Sequence, residues 1–129
     1  LNIHRRHHLL NAAQEGIVFG FRYGLEMMEG MGMTSRVMRA GYANMFLSPV
    51  FQRAFACTTG TVLKLYHADG ASGAARGAGV GCGMFRDFKE AFEGLKVKES
   101  VEPDGKQAVQ YRNAYEKWKT VLTRELKDD

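Results

Sequence analysis

Residues 36–52, Arg-Val-Met-Arg-Ala-Gly-Tyr-Ala-Asn-Met-Phe-Leu-Ser-Pro-Val-Phe-Gln, run from an extended apolar start through small residues into a helix. Val37 and Met38 begin the apolar run, and a strand is predicted over 36–41. Ala40, Gly41 and Ala43 are small enough to let a ligand approach the backbone. Ser48-Pro49 is a helix start, with the serine as cap and the proline at the first helical position. The helix runs to about Thr58 with Val50, Phe51, Ala54 and Phe55 apolar, and Thr59-Gly60 breaks it. Thr61 to Tyr66 alternates and is rich in β-formers, so it is a second strand. Two strands joined by one helix make a right-handed βαβ unit with parallel strands. In open α/β sheets, ligands sit where strand carboxyl ends meet helix N-termini, so the turn at 40–44 is the candidate site. On these residues alone a plain structural turn is the commoner outcome, since most such turns bind nothing.

Outward from this unit, residues 2 to about 31 read as one long amphipathic helix. Ile3, Leu10, Ile17, Phe21, Leu25 and Met28 recur at three-, four- and seven-residue spacing, which puts them on one face. Ala12, Gly16, Gly20 and Gly24 form a second, small stripe. Each glycine costs a helix about 1 kcal/mol relative to alanine, so another helix or the sheet is expected to press against it. Gly30 and Gly32 end the helix. A helix over 71–85 carries Gly73, Gly77 and Gly81 at steps of four and is a plausible packing partner for the first. Asp87 with Glu90 has capping-box spacing for a short helix that Gly94 ends. Val97 to Val101 reads as a minor strand. Asp104 with Gln107 opens a last helix to about Lys127, buried along Ala108, Tyr111, Tyr115, Trp118, Leu122 and Leu126.

With 129 residues and 45% hydrophobic content, one domain with one core is expected. A net charge of +4, with charged residues of both signs mixed, is far from a nucleic-acid stripe, so no nucleic-acid partner is expected. Cys57 and Cys82 lie far apart without a CxxC, which argues against a disulfide framework and for a reducing, cytoplasmic setting. No apolar run approaches the ~20 residues that a membrane span needs. The first residue is Leu1 and helical periodicity begins at once, so the chain reads as a piece of something longer.

His4, His7 and His8 share helical spacing but lack an acidic or cysteine partner, and Arg5 and Arg6 beside them favour a solvated face over a metal site. Gly77-Ala78-Gly79-Val80-Gly81-Cys82-Gly83 is not GxGxxG and follows no strand, so it reads as a close-packed helix. Cys57 and Cys82 read as buried small hydrophobes. Met27, Met28, Met31 and Met33 read as core filler, with a partner chain, such as a second copy in a homodimer, as the alternative. Asp69, just after the second strand, reads as a helix cap before a metal or catalytic group. No residue is singled out as catalytic or metal-ligating.

Ala-Gly-Tyr-Ala-Asn-Met-Phe-Leu at 40–47 resembles the adenine-nucleotide segment of the FGGY family of carbohydrate kinases. Neighbouring pieces match in order. Gln14-Glu15-Gly16-Ile17-Val18-Phe19 resembles the family's Leu-Glu-Gly-(Ile/Val)-Ala-Phe helix. Asp69-Gly70-Ala71-Ser72-Gly73-Ala74-Ala75-Arg76-Gly77-Ala78 resembles its late Glu-x-Gly-Ala-Ala-x-Gly-Ala-Ala helix. Phe88 to Phe92 and Val101 to Asp104 resemble its final segments, and Tyr111 to Leu122 the last helix of the xylulose kinases in particular. The ordered set covers nearly the whole chain.

This resemblance implies an α/β fold, part of an actin-like, ribonuclease H-like ATPase domain, with a short parallel βαβ sheet and long packing helices. Residues 1–129 would be the C-terminal fragment of the second, ATP-binding domain. The implied cofactors are ATP and Mg²⁺, the ion's ligands lying outside this piece. The implied partners are the N-terminal domain and remainder of the same enzyme, and a sugar. By the same resemblance the backbone at Ala40 and Gly41 lies against the adenosine, and Asn44 offers its amide to the adenine edge. Tyr42 stacks on the base or packs. The family's Gly-Gly is Ala40-Gly41 here. The parent reaction would be phosphorylation of a ketopentose, D-xylulose first, with the isolated piece inactive. Its aspartate base and Asp-x-Gly-Thr phosphate loop belong upstream. Rival readings are another sugar substrate (glycerol, gluconate, ribulose) and a noncatalytic nucleotide-binding or assembly module of actin-like topology. A basic helical binding protein is a third, and the two β-rich segments argue against it.

Overall fold

The computed structural model describes residues 3–127. In chain order the elements are α1 (Arg6–Gly30), β1 (Val37–Gly41), a 3-10 turn (Asn44–Leu47), α2 (Pro49–Thr59), β2 (Val62–Tyr66), α3 (Gly70–Gly81), α4 (Phe88–Ala91), β3 (Val97–Val101) and α5 (Gly105–Glu125). β1 and β2 pair in parallel, from Val37 beside Val62 to Gly41 beside Tyr66. β3 adds to the far side of β2 in antiparallel sense, Leu63 opposite Val101, with a bulge between Leu65 and Tyr66. The sheet, ordered β1-β2-β3, is therefore mixed: the expected parallel unit carries the expected minor strand as an antiparallel edge.

The β1–α2–β2 unit forms for the reasons its sequence gives. Ser48 caps α2 by accepting from the Phe51 N–H (3.4 Å), Pro49 fills the first helical position, and Gly60 closes the helix at φ +69°. α2 buries Phe51, Ala54 and Phe55 against Leu63 and Leu65 of β2, and Val18 of α1 completes this core. Met38, Ala40 and Tyr42 pack on its rim. α5 closes the layer: Tyr115 and Trp118 sit with ring centroids 5.8 and 6.0 Å from Phe19 of α1. Asp104 caps α5, accepting from the N–H groups of Lys106 (2.8 Å) and Gln107 (3.4 Å).

The long first helix departs from its reading in two ways. It begins at Arg6, where the Arg5 N–H donates to His8 Nδ1, and residues 1 and 2 lie outside the described residues. Its predicted apolar face packs only in part: Phe21 meets Phe55 of α2 with ring centroids 5.7 Å apart, and Leu25 is half-buried. Ile3, Leu10, Ile17, Phe21 and Met28 are each 42% or more exposed, while Val18 and Phe19 on another face are buried. The small stripe is also uncovered: a Cβ at Gly16, Gly20 or Gly24 would meet nothing within 4 Å. α3 does not pair with α1 through its own glycines. It packs on α4, to which Arg76 ties it through the Ala91 carbonyl.

Smaller corrections concern single residues and one helix end. Cys57 is buried as read, but Cys82 follows the last turn of α3 and is exposed. Leu126, read as buried, is 60% exposed just past α5. α3 stops at Gly81, short of the predicted 85, and Gly83 turns the chain at φ +78°. Among the described residues no helix is long and apolar enough to cross a membrane.

Candidate functional site

At the carboxyl ends of β1 and β2 the chain leaves a cleft of about 270 Å³. Arg39, Ala40 and Gly41 line it from β1, and Tyr66, Ala68 and Asp69 from the end of β2. Gly70 and Gly73 of α3 form one wall, and Phe92 and Leu95 the other. This volume lies just under the ~300 Å³ at which pockets for drug-sized ligands begin, so it suits a ring system and not a whole nucleotide. Its chemistry is mostly apolar and backbone, with one cation, Arg39, at the rim. Asp69 is engaged as the helix cap it was read to be, accepting from the Ser72 N–H at 2.8 Å.

The four predicted nucleotide-contacting residues are not brought together equally. Ala40 and Gly41 line the cleft. Gly41 has a structural reason of its own: a Cβ there would lie 2.2 Å from the Ala68 carbonyl oxygen. The β1 terminus and the loop after β2 touch backbone to backbone, and the Tyr42 N–H donates to the Tyr66 carbonyl at 2.8 Å. Tyr42 packs on the core rim, with Lys98 Nζ 3.6 Å from its ring centroid, so Lys98 covers one ring face. Asn44 opens the 3-10 turn at φ +51°, a left-handed conformation that asparagine tolerates. It borders a separate shallow cleft against Leu10, Gln14 and Ile17 of α1.

Sequence reading missed the groups that hold this turn. Gln52, buried on α2, donates through Nε2 to the Phe46 carbonyl at 2.7 Å. Ser48 Oγ donates to Gln14 Oε1 at 2.7 Å and so fixes the turn to α1. Phe92 and Leu95 were also missed, because only the β2–β3 pairing carries residues 92–95 back over the strand ends. The β1–β2 register is the signal that could have found residues 66–69. Among the described residues no group of three or more His, Cys, Asp or Glu side chains is placed to hold a metal ion. The rings of His7 and His8 lie 4.1 Å apart, exposed at the start of α1.

No protein-family model matches the sequence, and no curated protein matches it. Solved structures do match the fold. A xylulose kinase from Rhodospirillum rubrum superposes with a TM-score of 0.77 at 21% identity, over 96% of this chain and 26% of that one. The fold is that of a sugar-kinase segment. A gluconate kinase from Lactobacillus acidophilus matches this segment at TM-score 0.77 and 14% identity, with 25% of its own chain covered. A ligand-bound xylulose kinase from the same organism gives 0.77, 14% and 26%. The chain spans about a quarter of the length of each. The α/β sugar-kinase fold, with its small mixed sheet and packing helices, therefore stands on the superposition.

Proposed function

We propose that this chain is a C-terminal piece of the ATP-binding domain of a carbohydrate kinase, and that the cleft beside Ala40 and Gly41 receives the adenine ring. The observation that carries the reading is the cleft's position. It opens at the carboxyl ends of two parallel strands, in a fold shared over 96% of the chain with sugar kinases. Ala40 and Gly41 supply the close backbone approach, Phe92 and Leu95 the apolar wall, and Tyr42 supports the turn from behind under Lys98. Asn44 borders the separate cleft against α1, so this reading assigns it no contact with the ring.

In the parent reaction a sugar hydroxyl attacks the γ-phosphorus of ATP. The bond from that phosphorus to the β,γ-bridging oxygen breaks, ADP leaves, and the hydroxyl proton passes to a carboxylate base. The base, the phosphate loop and the Mg²⁺ ligands belong to the remainder of the polypeptide in this reading. D-xylulose is the first candidate substrate, giving the 5-phosphate. A gluconate kinase shares the fold equally, so gluconate is the second.

The test is a coupled ADP-release assay on the full polypeptide with D-xylulose, gluconate, glycerol and L-ribulose, repeated with Gly73→Leu. Gly73 lines the cleft and a Cβ there meets no atom within 4 Å, so a larger side chain can be introduced at this wall. The expected result is a rise of about tenfold or more in KM for ATP with the sugar KM unchanged. An unchanged KM for ATP removes the cleft from nucleotide binding. No turnover with any of the four sugars removes the kinase reading.

A further inference from the structure

The hydrogen-bonding groups left free in the strand-end cleft decide which ring it suits. The backbone carbonyls there are engaged. Tyr66 O accepts from the N–H groups of Tyr42 and Ala68, each at 2.8 Å, and Gly41 O accepts from the Ala43 N–H at 2.9 Å. The Ala68 carbonyl is pressed against Gly41. Ala40, Phe92 and Leu95 offer apolar surface, which holds any flat ring alike. Two charged side chains remain. Arg39 lines the cleft, is exposed, and among the described residues has neither a hydrogen-bond nor an ion-pair partner. Asp69 uses Oδ1 to accept from the Ser72 N–H, and among the described residues its Oδ2 is free.

The cleft thus presents a donor-only fork and an acceptor-only oxygen with two lone pairs. The two purines answer that pair differently. Guanine carries two acceptors side by side, O6 and N7, which a guanidinium meets with two parallel N–H groups. Its next edge carries two donors side by side, N1–H and N2–H, which a carboxylate oxygen accepts. Adenine alternates: its N6 amino group donates beside an acceptor on both edges, N1 on one and N7 on the other. A guanidinium set against either adenine edge meets one acceptor and one opposing donor, and arginine has no acceptor to offer. A side-chain amide matches that mixed edge where a guanidinium does not.

We propose that this cleft takes guanine at least as readily as adenine, so that GDP and GTP compete with ADP and ATP for it. Arg39 donates to O6 and N7, and Asp69 Oδ2 accepts from the N1–H and N2–H edge. The proposal rests on the nucleotide reading of the cleft and deepens it by naming the base.

The experiment is titration calorimetry of the full polypeptide with GDP and with ADP, with Mg²⁺ present and sugar absent. The expected result is a Kd for GDP no higher than that for ADP. Arg39→Gln replaces the fork by an amide, which suits adenine, and is expected to raise the ratio of the GDP Kd to the ADP Kd by about tenfold or more. Asp69→Asn keeps the helix cap, because its amide oxygen still accepts from the Ser72 N–H, but turns an NH₂ toward guanine's donor edge. It is expected to raise the same ratio. A GDP Kd more than about twofold above that of ADP in the parent overturns the inference and leaves the nucleotide reading in place. A ratio that Arg39→Gln moves by less than about tenfold also overturns it, because the base is then read elsewhere. If neither nucleotide binds, or if Gly73→Leu leaves both affinities unchanged, the inference and the nucleotide reading fail together. The comparison of GDP with ADP on the parent needs no variant, so it stands even where a substitution impairs folding.

Discussion

Gly41 shows how one residue can serve a site and a fold together. It lines the cleft, yet its missing side chain is demanded by the Ala68 carbonyl 2.2 Å from where a Cβ would sit. The neighbour is backbone and cannot rotate away, so Gly41→Ala must push β1 and the loop after β2 apart. The expected loss is about 1–3 kcal/mol, the usual range for overpacking, measured by urea denaturation of the expressed chain. A loss within experimental error would show that the two segments separate freely. The sequence made Gly41 legible as a place of close approach but not as to what approaches, since a ligand and a backbone carbonyl call for the same small residue. Tyr42 and Asn44 were legible only as residue types. Lys98, which lies over the Tyr42 ring, comes from a strand more than fifty residues later in the chain.

Elements whose ends carry their own punctuation formed where they were read. The Ser48-Pro49 start of α2, the Asp69 cap of α3, the Asp87 cap of α4 and the Asp104 cap of α5 are each satisfied by a local N–H. Ser48 does more than cap, because its hydroxyl also donates to Gln14 on α1. Ser48→Ala therefore removes a cap and an inter-helix tie together. It is expected to cost about 1–2 kcal/mol, at the upper end for a cap, read as a shift in the urea midpoint with unchanged slope. Gln14→Ala combined with it should add little more if the tie is shared. Faces were less legible than ends. Periodicity identified an apolar stripe on α1, but α2 and α5 buried Val18 and Phe19 and took only Phe21 from the stripe, against Phe55. Spacing states which residues share a face, and only the neighbouring elements say which face is covered.

At the scale of the molecule, α1 and α5 are held by charge as well as by rings. Lys119 Nζ lies 2.6 Å from Glu26, and Arg22 reaches both Glu26 (3.6 Å) and Glu29 (2.9 Å). Burial weighs against ionising Glu26, but Lys119, the neighbouring Tyr115 hydroxyl and Arg22 together outweigh it and lower its pKa. Burial first, and then Glu26, raise the pKa of Tyr115, whose hydroxyl is buried short of a standard hydrogen bond. A carboxylate with a lowered folded pKa contributes stability above its unfolded value and loses it as pH falls through the folded one. Tm should therefore fall on acidification below the ordinary glutamate range, and Glu26→Gln should flatten that limb while leaving α2 and the sheet intact by circular dichroism. An unchanged acid limb would assign the loss to other carboxylates, Asp104 first, whose cap bonds from Lys106 and Gln107 lower its pKa in the same sense. The tie from α5 was not visible along the chain, because Glu26 and Lys119 are separated by 93 positions, whereas the Arg22–Glu26 pair has i,i+4 spacing. What the chain carries locally is the list of elements, their caps, the parallel β1–α2–β2 unit and the small turn at its strand ends. The elements and their caps follow from contacts within a few residues, and the parallel unit from the short connection between its two strands. Which helix face is buried and what closes the cleft depend on contacts between distant segments. Packing selects among faces of similar hydrophobicity by shape and available cover, and one-dimensional spacing does not encode that choice.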